Sequence, residues 1–325
     1  MQRRDFFKKF FSWGGALSLG SPFLFKGLMA GDKSRVVQST DPKVMDGAGR
    51  VNADILLQML DKGLQTLLSV DGITEAWQKI VRPGEVVGLK VNCLSGYGST
   101  HPQLVQAIIQ RLQEAGIREG DIIVWDRLSK DLEAGGFRVQ DNLNRLRIIG
   151  NDILGFENEL AIFGSAASRI CRTVTRECDA IINLPLLKDH SIAGLTVALK
   201  NLFGAIHNPH KYHLSHGNPY IADVNMLPPI RQKIRLHICD ALEAQYEGGP
   251  SFMPHWRWPM HSLLLSRDPV ALDYSGWHII DRKRKETGLK TLKEVGREPS
   301  YIATAADAEH RLGTNDPMRI EMVKV

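Results

Sequence analysis

The chain has 325 residues, 43% hydrophobic and 24% charged, with 41 Lys and Arg against 36 Asp and Glu and a formal net charge of +5. Residues 1–30 hold Arg3, Arg4, Lys8, Lys9 and Lys26 against Asp5, so they carry nearly all of that excess and leave about +1 for the rest. No basic stripe interleaved with aromatics follows, which excludes nucleic-acid binding.

The opening "QRRDFFKKF" pairs Arg3 with Arg4, then gives Phe6, Phe7 and Lys8. A mildly apolar stretch, "FFSWGGALSLGSPFLF", is loosened by glycine and serine, and Lys26 precedes the small-residue end "GLMAGD". The run is short and glycine-rich for a spanning helix. Residues 1–30 are therefore expected to be a twin-arginine signal, with an uncleaved anchor as the alternative. That predicts the twin-arginine translocation machinery as a partner, a periplasmic location, and export of a folded chain with its cofactor or metal in place.

Downstream, apolar runs alternate with amphipathic stretches. Strands are expected at 85–93, 121–126, 145–150, 178–187, 233–242, 261–268 and 319–325. Helices are expected at 101–116, where Leu104, Ile108 and Leu112 repeat every four residues before Gly116, at 196–206, and at 269–286, where Pro269 stands in the first turn. The expected fold class is α/β, a largely parallel sheet with helices on both faces and room for a smaller second lobe. Residues 31–80 form an N-terminal segment in this reading, and 81–325 form the main domain. Asp268 and Asp273 flank a helix start, where capping is the default role.

Ligands of parallel sheets bind at the carboxyl ends of strands. The loops placed there are "CLSGYGSTHP", "WDRLSKD" and "LKDHSIAG", which hold Ser99, His101, Asp126, Lys188 and His190. Cys93, Cys171, Cys178 and Cys239 show no CxxC spacing, so neither a zinc ribbon nor a ferredoxin-type cluster has a local signature. A disulfide between Cys171 and Cys178 stays open.

Five of the eleven histidines fall between Lys188 and His216, with His216 counted. His207, His210, His213 and His216 recur every third residue, and Pro209 breaks a continuous helix through them. A loop can converge two or three imidazoles on one metal, which makes His216, His213 and His210 the candidate metal ligands. The alternative is a polar loop whose histidines cap and hydrogen-bond. Lys200 stands inside the apolar "LTVALKNLF". A lysine there must snorkel, pair with a carboxylate, or react as a desolvated amine. His190, Lys200, Asp126 and His101 are the catalytic candidates, and Lys200, Lys188, Ser99 and Asn201 the cofactor-binding ones.

The segments "VVGLKVN", "THPQLVQAIIQRLQEAG", "AIINLPLLKDHSIAGLTVALKNLFGAI" and "DPVALDY" resemble domain-of-unknown-function family 362 over roughly residues 80–280. Members of that family include exported proteins and fusions to ferredoxin-like modules. His190, Lys200 and His216, ten and sixteen residues apart, also resemble the nickel-pincer lactate racemase family. That resemblance implies His190 as acid/base, Lys200 as the covalent tether of a nickel-pincer nucleotide, and His216 as the nickel ligand. The chain differs in having no arginine in "SGYGSTHPQ", and it carries "WDR" where the racemases place a second acid/base histidine. Asp126 and His101 are the substitutes on offer.

The function expected is an exported enzyme using a nickel-pincer nucleotide or another metal centre for proton-coupled hydride transfer on a small hydroxy or carbonyl compound. The alternatives are a redox accessory protein with an iron–sulfur cluster and a redox partner, and a non-catalytic metal-binding module.

Overall fold

The computed structural model describes residues 33–325, and the expected signal segment lies outside them. β1 (Ser34–Thr40) leads to α1 (Ala53–Leu68) and α2 (Ile73–Gln78). α1 begins where the Asn52 side chain accepts the N–H groups of Asp54 and Ile55, and it ends at Ser69 with φ of 54°. Next come β2 (Val87–Lys90), α3 (Pro102–Glu114), β3 (Ile122–Asp126), α4 (Ser129–Ala134), β4 (Arg147–Gly150) and α5 (Asn151–Leu154). The small hairpin of β5 (Ala161–Phe163) and β6 (Ala166–Ser168) precedes β7 (Ala180–Asn183), β8 (Leu186–His190), β9 (Gly194–Thr196) and α6 (Ala198–Asn201). The chain closes with α7 (Tyr220–Met226), α8 (Pro228–Lys233), β10 (Ile234–Gln245), β11 (Arg257–Ser266), α9 (Pro269–Glu286), α10 (Tyr301–Ala306) and β12 (Ile320–Lys324).

The main sheet runs β12-β1-β11-β10-β7-β2-β3-β4, with β8 joined to β10 and β9 to β8. Its neighbours are parallel except for β11 against β1 and β10, and β9 against β8. Strand alternation sends side chains to two cores. Ile122 and Val124 join Leu56, Leu60, Trp77, Leu104 and Ile108 on one face, while Ile123 and Trp125 join Leu199, Leu202, Ile221 and Ile280 on the other. The fold is thus α/β with a mostly parallel sheet covered on both faces, as expected.

Three details differ from expectation. The strand expected at 178–187 splits at Leu184–Pro185, because proline cannot donate to the ladder; β7 stays beside β2 and β8 turns off to β10. The helix expected at 196–206 is one turn, α6, followed by a tighter turn over 202–205. β1 pairs with β11 and β12 in the main sheet, and residues 33–325 form one unit.

Candidate functional site

The carboxyl ends of β2, β3, β7 and β8 bring a buried polar cluster together. At its base Lys90, 1% exposed, donates to Asp126 Oδ1 at 2.7 Å and to the Val91 carbonyl at 2.5 Å. Gly204 passes so close that a Cβ there would lie 2.7 Å from Lys90 Cε. Asp126 also accepts the backbone N–H groups of Cys93 and Arg127, each at 2.7 Å. Its two oxygens are therefore spent on the scaffold.

Above this pair runs a one-way chain of amides. Lys188 Nζ donates to Asn92 Oδ1 at 3.2 Å, and Asn92 Nδ2 to Asn201 Oδ1 at 2.9 Å. Asn201 Nδ2 then donates to Asn183 Oδ1 at 2.7 Å, and Asn183 Nδ2 to the Ala198 carbonyl at 2.9 Å. Nδ1 of the buried His237 lies 3.1 Å from Asn183 Nδ2, and burial drives that imidazole down to about 3, so it stays neutral. Each link polarises the next, and the chain locks α6 to the strand ends. Asn201 is a scaffold residue rather than a free ligand-binding group, since its amide is used internally.

Lys200 projects from α6 with 8% exposure. Its Nζ lies 3.1 Å from Nε2 of His213 and 4.3 Å from the Phe203 ring centroid. No carboxylate among the described residues pairs with it. Burial, and then the charge of Lys188, bring the amine down to about 7. His213 Nδ1 faces the carbonyls of Pro209 and His210 at 3.1 and 3.3 Å. Carbonyls only accept, so Nδ1 carries the hydrogen and Nε2 presents its lone pair to Lys200. Burial and then the Lys200 charge lower the His213 imidazole, which keeps that lone pair free. A nucleophile next to an oriented base is the result.

His190 has the opposite tautomer. Its Nδ1 accepts the N–H groups of Ile192 and Ala193, both at 3.1 Å, so the hydrogen sits on Nε2. Burial, then Lys200 and His213, push this imidazole down to about 2. It is a neutral donor, stacked on His213 with ring centroids 5.5 Å apart. Lys188 also meets Ser95 Oγ at 2.8 Å and the Pro250 carbonyl at 3.3 Å, and burial brings it down to about 8.

The outer histidines divide. His210 is exposed and stacks on His213 at 6.0 Å. His216 is exposed at φ of 59°, and its Nδ1 donates to the Ile192 carbonyl at 3.0 Å, leaving the Nε2 lone pair open. A hydrogen bond on one ring nitrogen fixes the tautomer and orients the other nitrogen outward, as in imidazoles that bind metals. Among the described residues no three His, Cys, Asp or Glu side chains form a ready metal-binding group. His216 thus offers a single imidazole, and further donors to a metal would have to come from a bound ligand.

Elsewhere, His101 Nδ1 donates to Asp240 Oδ2 at 2.8 Å, and that oxygen also accepts the His101 N–H. Burial works against the imidazolium, yet Asp240 outweighs it and His101 is raised. The side chain is 18% exposed over a wholly buried carboxylate, an oriented acid/base pair. Ser99 turns its hydroxyl onto the Gly96 carbonyl at 2.5 Å within its own loop. The four cysteines are buried free thiols, all raised by burial.

The structure therefore gathers Lys188, His190, Lys200 and His213, with Asn201 and Asp126 behind them. Sequence reasoning passed over Lys90, Asn92 and Asn183. Lys90 carried the signal that flagged Lys200, a lysine inside an apolar run. Asp273, expected to cap a helix start, caps a different one: from α9 it accepts the N–H groups of Ala198 and Leu199 at the start of α6, just ahead of Lys200.

Over 272 residues the chain is 29% identical to the Thylakoid-associated protein sll1697 of Synechocystis, covering 78% of this chain and 74% of that protein. A crystal structure of a Thermotoga maritima protein, a Northeast Structural Genomics Consortium target, superposes with a TM-score of 0.40 at 10% identity, covering 74% of this chain and 60% of that one. Residues 87–278, well over half of the chain and all of the cluster's core from Lys90 to Asp273, match the family model described as Domain of unknown function (DUF362), and the chain belongs to that family.

Proposed function

We propose that the chain is an exported α/β enzyme that carries a nickel-pincer-type nucleotide on Lys200 and acts by proton-coupled hydride transfer on a small hydroxy or carbonyl compound. The observation that carries this reading is the pairing of a buried, carboxylate-free Lys200 amine with the lone pair of His213. A buried cation without a counter-charge is costly, so a chain keeps one where the amine is used. His213 would take the proton that the Lys200 ammonium must lose before its nitrogen can act as a nucleophile. His190 would donate a hydrogen bond from Nε2–H to an oxygen of the substrate. His101 with Asp240 supplies an oriented group that can gain or lose a proton at Nε2. His216 would supply the protein's imidazole to the metal. The cofactor, when bound, supplies the hydride-accepting carbon and the remaining metal donors.

The twin-arginine reading of residues 1–30 supports export of a preloaded chain, and the thylakoid-associated relative supports work at a membrane-bounded compartment. No helix among the described residues is long and apolar enough to cross a membrane.

Elemental analysis of chain matured in its own host tests the reading. About one nickel per wild-type chain, lost in both Lys200→Ala and His216→Ala while the circular dichroism is kept, is the expected result. Nickel retained in both variants, or absent from wild type, refutes it.

A further inference from the structure

Five lysines and arginines are buried in the described residues: Lys90, Arg147, Lys188, Lys200 and Arg284. Three of them have carboxylate partners, Lys90 with Asp126, Arg147 with Asp141 and Glu177, and Arg284 with Glu247. Lys188 and Lys200 have none among the described residues, although they are 4% and 8% exposed; the charge of Lys188 acts on Lys200, while Asp126 and Asp189 act on Lys188 from beyond ion-pair distance. The three hydrogens of Lys188 reach Asn92 Oδ1, Ser95 Oγ and the Pro250 carbonyl, so its hydrogen bonding is complete while its charge is not. Among the described residues Lys200 gives one hydrogen to His213 and finds no acceptor for the others. His190, 4% exposed, has no partner for its Nε2–H among the same residues.

Two buried cations with no ion-pair partner among the described residues, one of them with spare donors, define an anion subsite. Lys90, a few residues from Asn92 in the same cluster, shows that this chain supplies a carboxylate where it buries a lysine for structure alone. We infer that the molecule engaged at Lys200 bears an anionic group, a phosphate or a carboxylate with up to two negative charges, seated on Lys200 Nζ and His190 Nε2–H in the field of Lys188. This rests on Lys200 being the reactive group and adds the chemical class of what it engages.

Calorimetric titration of the full chain, produced with Lys200 unmodified, tests it with two probes at constant ionic strength: inorganic phosphate and malonate. The expected result is saturable one-to-one binding of at least one probe. Phosphate alone points to a phosphate-bearing ligand and malonate alone to a carboxylate. Lys188→Met weakens that binding about tenfold or more, and His190→Phe, which keeps a ring on His213 and loses the donor, weakens it several-fold. Lys285→Met on the exposed surface of α9 leaves it unchanged. Saturable binding of neither probe to wild type, or binding that survives both site substitutions in folded protein, overturns the inference. Since no adduct is involved, failure here is separate from failure of the cofactor reading: anion binding to a chain that never carries nickel leaves the subsite standing and removes only the pincer.

Discussion

Lys200 Nζ meets His213 Nε2 at 3.1 Å, an amine facing a base where an apolar setting would otherwise call for a carboxylate. The two backbone carbonyls behind His213 fix its tautomer, so the direction of the bond is set by the main chain. The site is therefore arranged to take a proton from Lys200.

Lys200 reactivity follows from that arrangement. With burial bringing its amine down to about 7, acylation by a small amine reagent should rise with pH and reach half its maximal rate near pH 7. Surface lysines should stay unreactive until well above pH 9. His213→Phe should slow the reaction at pH 7. Quantitative peptide labelling across pH 6–10 measures both.

Stability should move against function at the same residue. Lys200 is depressed from 10.5 to about 7, so between these values the unfolded chain binds more protons than the folded one. Its contribution to stability therefore rises with pH across that window. Lys200→Met should stabilise the cofactor-free chain at pH 7 by about 1–4 kcal/mol, the range for replacing buried charge by an apolar side chain. The gain should shrink toward pH 10. Chemical denaturation of both chains at several pH values reads it.

Asp126→Asn should be among the most damaging single changes, because it strands the Lys90 cation at 1% exposure. The expected loss is about 3–5 kcal/mol. The double change Lys90→Met with Asp126→Leu should recover much of it, which calorimetric melting of the three variants would establish.

His310 provides a pH test away from the site. Its Nε2 meets Asp223 at 2.8 Å and its Nδ1 meets Asp307 at 2.9 Å. Burial opposes the imidazolium, but the two carboxylates outweigh it and raise the group above its ordinary 6.5. Its stabilisation is therefore full below pH 6.5 and lost as pH rises through the raised value. The melting difference between wild type and His310→Gln should be larger at pH 6 than at pH 9. Equal differences would contradict the charged-imidazole assignment.

Asp273→Ala removes the acceptor for the N–H groups of Ala198 and Leu199 and for the Tyr301 hydroxyl. A cost of about 1–3 kcal/mol is expected from the stranded donors. Slower labelling of Lys200 should accompany it, because the cap sits on the turn that carries the lysine. Loss of stability with unchanged Lys200 labelling would make the cap purely structural.

Much of the fold was legible because buried parallel strands announce themselves as apolar runs: "EVVGLKVNC" and "DIIVWD" became β2 and β3. Asp268 capped α9 as its place before Pro269 implied. Pattern could not show that Pro185 divides one apolar run into two strands. Nor did it show that 196–206 would stop being α-helical after Asn201, a matter of packing rather than propensity. At the site, the lysine–histidine spacing drew attention to the segment that carries Lys200 and His213 but not to the contacts within it. His213 was read as a metal ligand, whereas its Nε2 faces Lys200. Which ring nitrogen is free depends on carbonyls and N–H groups that only the folded backbone places. The amide chain from Lys188 to Asn183 was equally hidden, since its members stand on four separate elements.

The mass of the peptide containing Lys200, from chain matured in its own host, tests the central claim most directly. Trypsin cuts after Lys188, Lys200 and Lys211 when these are unmodified. A tethered cofactor predicts a missed cleavage at Lys200 and a peptide spanning 189–211 that carries an added mass on the lysine. Separate, unmodified peptides 189–200 and 201–211 from fully folded, host-matured protein would contradict the covalent cofactor.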